Sequence, residues 1–347
     1  MPPPPCVPEG SCLRDRHEPH FAVLPVLAVA YAEGCSNEMI SFPFDHPRLR
    51  VMSQSVTADQ VPRAFRKKAY LLGSIPWQCS TVDPRIPYAL YIPEEAYNDP
   101  ARTRKLPLLV YIHGTRRDTS ALQGSLIPFA DTTQCAILAP LFPVGLDHPH
   151  DLSSYKFLNA KSYRSGLVLL SIVEEVSKRW EHIETDKFFL MGFSGGGQFA
   201  HRFLYVHPER LLGISVGAPG NVTMLDRQEA WPEGVSDVEH IYGKKLDIQA
   251  MRKVSIQLVI GDEDNVVHGG SGFWEFVSKK APMMAEAMQD ELLPMKTGRW
   301  DTIKRLCEHW NDLNFDADLQ VVPGVAHSHV GVQETVLSFL QSLLSPS

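Results

Sequence analysis

The stretch Lys187-Phe188-Phe189-Leu190-Met191-Gly192-Phe193-Ser194-Gly195-Gly196-Gly197-Gln198 decides how this chain is read. Four large apolar side chains run into Gly-x-Ser-x-Gly, and a helix-compatible segment, Gln198 to Tyr205, follows. Strand, sharp turn and helix form the setting in which a serine is held with its Oγ exposed at the edge of a sheet. Gly192 and Gly196 leave out side chains that would crowd the turn. The N–H of Gly195 is aimed at the place where an oxyanion would form on an attacked carbonyl. Chance alone produces Gly-x-Ser-x-Gly about 0.1 times in a chain of this length, and a second copy, Gly213-Ile214-Ser215-Val216-Gly217, is present. That copy runs into Ala218-Pro219-Gly220, which cannot open a helix. Ser215 is therefore expected within or at the end of a strand, and Ser194 is the candidate nucleophile.

Working outward, apolar runs and helical patterns alternate. Residues 65–73 and 86–92 read as the first two strands. Leu106 to His113 is a continuous apolar run of the kind buried on both faces of a sheet. Residues 119–130 read as helix, Cys135 to Ala139 as strand, and Ser162 to Trp180 as a helix that Ser162 could cap. Leu211 to Val216, Ile256 to Ile260 and Leu319 to Val322 complete the strands, and Glu334 to Leu344 closes the chain as a helix. The alternation implies right-handed crossovers, an α/β fold, and a mainly parallel central sheet with helices on both faces. Residues 1–60, rich in Pro, His and charge, read as a poorly structured arm before a domain spanning 61–347. Residues 221–253 and 273–315 break the pattern just after strands, where open α/β sheets bind ligands, and are candidate lid or cap elements.

A serine hydroxyl is a weak nucleophile near neutral pH and needs a base, itself oriented by a carboxylate. Both residue types follow Ser194, each in a loop after a later strand. Gly261-Asp262-Glu263-Asp264 comes after Ile260, and Pro323-Gly324-Val325-Ala326-His327-Ser328-His329 comes after Val322. Asp262 competes with Asp264 for the acid, and His329 with His327 for the base. Asp264 stands 70 residues after Ser194, and His327 a further 63 on, leaving room for a strand, a helix and an insertion.

In this order and context the chain resembles an α/β-hydrolase over roughly residues 65–345. The resemblance implies that the acid stands three residues after the glycine ending its strand, and the histidine three after another glycine. Carried onto this sequence, that spacing gives Asp264 and His327. It also implies a second oxyanion donor in the turn Tyr111-Ile112-His113-Gly114-Thr115-Arg116, with the N–H of Thr115 preferred over that of Arg116. The chain lacks the His-Gly-Gly-Gly form of one large esterase group. His113 itself is expected to be buried and hydrogen-bonded. The activity implied is hydrolysis of a small-molecule carboxylic ester or lactone through an acyl-enzyme on Ser194. The segment Gly192 to Leu225 is also similar to polyester-depolymerase and dienelactone-hydrolase branches. An amidase, peptidase or acyltransferase would use the same residues, and a non-hydrolytic binding protein can share the fold.

Composition narrows the rest. The chain has 347 residues, 44% of them hydrophobic and 21% charged, with a formal charge of −7, which disfavours nucleic acid or an anionic membrane as partner. No apolar run reaches the roughly 20 residues of a membrane span. Phe21 to Ala32, with Ala28-Val29-Ala30 resembling a cleavage site, could serve as a secretory signal, but the preceding residues are rich in proline and acidic at Glu9, Asp15 and Glu18. A cytoplasmic location is the expectation and secretion the alternative. The six cysteines show no paired spacing, so neither a disulfide framework nor a zinc site is expected. His148-Pro149-His150-Asp151 and His327-Ser328-His329 lack the spacing of a metal-binding helix. Gly269-Gly270-Ser271-Gly272 lacks the lysine of a phosphate loop. No cofactor and no metal are expected. Arg116-Arg117, beside the presumed oxyanion turn, could attract an anionic substrate.

Overall fold

The computed structural model describes residues 56–149, 151–265 and 298–344. Eight strands form one sheet in the order β1-β2-β4-β3-β5-β6-β7-β8: β1 Gly73–Cys79, β2 Pro87–Ile92, β3 Leu108–Ile112, β4 Ala136–Pro140, β5 Phe188–Phe193, β6 Leu211–Gly217, β7 Ser255–Gly261 and β8 Ala317–Val322. β2 pairs antiparallel with both β1 and β4, and every later pairing is parallel. The helices that position the site are α1 Ile127–Thr133, α2 Ser154–Phe157, α3 Ser165–Arg179, α4 Gly195–Val206, α5 Arg299–Asp312 and α6 Gln333–Leu344.

Side-chain alternation sorts these helices onto two faces. Leu108, Val110 and Ile112 of β3 and Phe188 and Leu190 of β5 join one core cluster with α3, α4 and α5. Leu109, Tyr111, Phe189 and Met191 join the other, with α1 and α6. All five residues of β3 are buried, as the unbroken apolar run requires of a strand covered on both sides. Ser215 lies inside β6, where its hydroxyl donates to Gln257 Oε1 at 2.6 Å.

Several boundaries differ from those read off the sequence. Residues 65–73 are not a strand. Phe65 and Tyr70 are exposed, and the chain turns helically at Arg63–Arg66 before entering β1. β1 carries Pro76, which only an edge position tolerates. Ser162 does not cap α3. That helix begins at Ser165 after Arg164 with no side-chain cap, while the Ser162 N–H donates to Asp147 Oδ1 at 2.7 Å.

The proposed arm lies outside the described residues up to position 55, and Ala58–Gln60 form a short 3-10 turn with Ala58 buried in the core. Of the two lid candidates, 221–253 is tied down. Tyr205 Oη donates to the Thr223 carbonyl at 2.9 Å and Trp231 Nε1 to that of Phe157 at 2.7 Å. In the second, positions 273–297, including Trp274, lie outside the described residues. The remainder is α5, which packs on the sheet between β7 and β8 and buries Trp310, whose Nε1 donates to Tyr205 Oη at 2.8 Å. This part is a crossover helix and not a cap.

Three histidines fasten loops at the carboxyl ends of the strands. Nε2 of His113 accepts the Phe142 N–H at 3.0 Å, Nε2 of His201 that of Thr223 at 2.9 Å, and Nε2 of His309 that of Leu225 at 3.0 Å. His113 and His201 use Nδ1 to donate to the carbonyls of Gly114 and Gly197. Both rings must be neutral, because a protonated Nε2 would face an N–H donor. Burial acts in the same direction, pushing His113 down to about 4 and His201 well below its usual range. In the unfolded chain these rings take up protons near pH 6.5. Below that the unfolded state binds more protons than the folded one, so stability falls as pH falls from 6.5 toward 4. The slope is about 1.4 kcal/mol per pH unit for each ring. Guanidinium unfolding at pH 7, 6 and 5 should show a progressive loss, and a flat profile from 6.5 to 5 would contradict this account.

Candidate active site

β5 delivers its chain to Ser194 at φ 58° and ψ −114°. A non-glycine residue in that region costs about 1–3 kcal/mol and persists only where the surroundings enforce it. Here the Ser194 N–H donates to the Gly217 carbonyl at 2.8 Å and its own carbonyl accepts from Gln198 N at 3.0 Å. The glycines make the turn possible. A methyl on Gly192 would collide with the Gly196 backbone, one on Gly196 with the Ile112 carbonyl, and one on Gly197 would lie 2.5 Å from the Gly217 oxygen. These close approaches also explain why α4 starts at Gly195, three residues before the Gln198 expected from sequence. Glycine is a poor helix former, but no other residue fits between helix and strands.

The loop after β7 holds Asp264, whose side chain is fully buried. Its Oδ2 is 2.6 Å from Nδ1 of His327, which lies in the loop after β8. A carboxylate only accepts, so Nδ1 carries the hydrogen, and in the neutral ring this tautomer leaves the lone pair on Nε2. The imidazole is about one-third exposed, and the ring of Phe193, next to Ser194, stands 4.8 Å from it centroid to centroid. Asp262, the competing acid, accepts from Gly324 N at 2.7 Å instead, holding the left-handed Gly324 (φ 68°) that turns the chain toward His327. His329 lies further off, 6.4 Å from Phe193.

The turn after β3 closes on the elbow. A Cβ on Gly114 would lie 3.8 Å from Ser194 Cβ, and one on Gly195 would lie 2.9 Å from the Thr115 nitrogen. The N–H of Gly195 belongs to the first turn of α4, where no carbonyl four residues back can reach it. The Thr115 nitrogen thus lies against Gly195 at the start of α4. Arg117 is occupied as a brace. Its Nη1 donates to the Thr115 carbonyl at 2.6 Å, its Nε to that of Phe142 at 3.0 Å, and its guanidinium lies 4.9 Å over the Tyr155 ring. Arg116 is exposed. Among the described residues no group of three or more His, Cys, Asp or Glu is arranged to hold a metal.

Solved structures with this architecture include poly(aspartic acid) hydrolase-1 from Sphingomonas sp. KT-1. It is 21% identical with a TM-score of 0.56, over 77% of this chain and 98% of that one. A poly(3-hydroxybutyrate) depolymerase from Bordetella parapertussis is 20% identical with a TM-score of 0.54, over 83% and 97%. A ferulic acid esterase is 12% identical with a TM-score of 0.50, over 75% and 92%. The fold is that of the α/β-hydrolases. No protein-family model matches the sequence. Curated proteins give no match either. Within the α/β-hydrolase fold, the antiparallel β2 and the crossover order place the loops after β3, β5, β7 and β8 at one end of the sheet, where the residues above converge.

Two participants had no sequence signature. Tyr155 of α2 is completely buried, donates from Oη to the His113 carbonyl at 3.2 Å, and would collide with any side chain at Gly195. Arg299, the first residue of α5, places Nη1 3.3 Å from Oδ1 of Asp264. It reaches the acid because the chain returns at Gly298 against Asn265, where a Cβ on Gly298 would lie 3.2 Å from the Asn265 carbonyl oxygen. Neither the spacing nor the residue types announced these contacts.

The elbow's crowding is testable by stability alone. Gly196→Ala drives a methyl into the Ile112 and His113 carbonyls and is expected to lose at least about 3 kcal/mol. Gly124→Ala, at a helical position with nothing within 4 Å of the added methyl, is expected to be neutral or stabilising. Denaturant midpoints of the two variants measure the contrast.

Proposed function

We propose that this protein is a serine hydrolase that cleaves a carboxylic ester or lactone through an acyl-enzyme on Ser194. The observation that carries the reading is the 2.6 Å contact between Asp264 and His327, made in two loops 63 residues apart, with the imidazole 4.8 Å from the ring of Phe193, the residue that precedes a serine held in a strained turn. Ser194 Oγ attacks the carbonyl carbon as His327 Nε2 takes its proton, and Asp264 keeps the imidazole in the tautomer that can do so. The amides of Gly195 and Thr115 receive the oxyanion. His327 then returns the proton to the leaving alkoxide, and water repeats the cycle to free the acid. Three structural neighbours, a hydrolase, a depolymerase and an esterase, support hydrolysis as the reaction class. A cytoplasmic location and a small organic substrate belong to the same proposal. Among the described residues no helix is long and apolar enough to cross a membrane.

A fluorophosphonate should label the folded protein on Ser194, located by peptide mass spectrometry. Ser194→Ala should abolish both labelling and p-nitrophenyl ester hydrolysis. Asp264→Asn should lower kcat by about 10³–10⁴-fold, whereas Asp262→Asn, which keeps an acceptor for Gly324, should stay within a few-fold of wild type. Adduct on another serine would falsify the assignment.

The buried hydroxyl of Tyr155 supports the oxyanion turn without touching substrate. Tyr155→Phe should lower kcat about tenfold with KM nearly unchanged, since it loosens a donor whose full loss costs about 3 kcal/mol. Equal changes in kcat and KM would count against that placement.

A further inference from the structure

The mechanism above uses one oxygen of the Asp264 carboxylate and leaves the other to Arg299. We propose that Arg299 is a positioning residue of this site: its guanidinium, engaging Oδ1, fixes the carboxylate plane so that Oδ2 stays on Nδ1 of His327, and it sets the acid side of the working pH range. The inference rests on the reading of Ser194 and His327 as nucleophile and base.

The geometry is that of a buried relay with a cation at its far end. The Asp264 side chain is 0% exposed and that of Arg299 7%. A carboxylate so enclosed requires compensation, and its two oxygens meet two different partners, at 3.3 Å on the arginine side and 2.6 Å on the histidine side. With only the histidine contact, the carboxylate would be free to rotate about its Cβ–Cγ bond. The charge-assisted bond to Oδ1 restrains that rotation.

Electrostatics gives the second part. A positive charge beyond the carboxylate opposes the arrival of another on the imidazole, so removing it lets His327 hold a proton to higher pH. Among the described residues, few groups face that ring. Asp264 approaches from the loop after β7 and Phe193 from the end of β5, with His329 across the same phenyl ring from its own loop. Asp262 is engaged with the Gly324 N–H, and Glu263 is exposed. On α5, Asp301 is exposed, leaving Arg299 as the charge that this helix directs at the acid.

The test uses the full chain with Arg299→Met, Arg299→Gln and Arg299→Lys. Fluorophosphonate acylation rates and p-nitrophenyl acetate kinetics are followed from pH 5 to 9, at a temperature where circular dichroism shows each variant folded. Arg299→Met should lower kcat by about 10- to 100-fold with KM within about twofold. It should also move the acid limb of both profiles to higher pH by about half a unit or more. Arg299→Lys, which keeps the charge, should return the limb to its wild-type position. If the methionine variant does not fold, Arg299→Gln reports the same shift, since it retains donors without charge. Wild-type rates and an unmoved limb in folded Arg299→Met or Arg299→Gln overturn the proposal. If wild-type protein takes no label on Ser194, the underlying reading fails. If labelling occurs, is lost in His327→Ala and is indifferent to Arg299, only the role given to Arg299 fails.

Discussion

Helix α4 begins against the ends of β3, β5 and β6 with no side chain in between. Gly192, Gly195, Gly196 and Gly197 let backbone touch backbone there, and the surrounding hydrogen bonds hold Ser194 in a conformation it would not otherwise keep. The rest of the site inherits its coordinates from that contact. If α4 moved outward by the width of a methyl group, Gly195 would leave the Thr115 nitrogen and Gly196 the Ile112 carbonyl. The twelve residues of α4 are all buried, including His201 and Arg202, so the helix cannot slide to relieve crowding. Burial even lowers the Arg202 guanidinium to about 10, and its Nε and Nη1 are met by Thr223 and the Lys156 carbonyl.

Much of this was legible because each strand-to-loop junction carries its own punctuation. The apolar runs of β3 to β7 are long enough to be buried on both faces, and a glycine ends β7 and opens the turn after β8. What escaped has physical causes. β1 is an edge strand with a proline among its four exposed positions, so its pattern is weak, while the segment before it turns helically at Arg63–Arg66 and buries Leu71 and Leu72. The true start of α4 was hidden because intrinsic propensity counts three glycines as a break, and tertiary crowding reverses that preference. Asp262 and Asp264 looked nearly equivalent in one dimension. They differ in burial and in what lies opposite: the Gly324 amide for the exposed Asp262, an imidazole and the Arg299 guanidinium for the buried Asp264. Tyr155 and Arg299 had no chance of being read, since each acts through a partner distant in the chain.

Histidines serve two opposite ends in this molecule. His113, His201 and His309 accept backbone amides at Nε2 and thereby bind the loops at 142 and 223–225 to the sheet and its helices. His327 has its Nδ1 occupied by a carboxylate and its ring partly open to solvent. The same side chain is thus a fixed acceptor of backbone amides in one setting and the partner of a buried carboxylate in the other. Burial and the identity of the Nδ1 partner separate the two uses.

The meeting of Gly298 with Asn265 has a consequence for how such a protein can diversify. Because the main chain leaves at Asn265 and comes back at Gly298 against it, the span between them can change in length without displacing Asp264 or Arg299, the residues on either side of that meeting point. A change of chain length made at this junction would leave the contact between Arg299 and Asp264 in place.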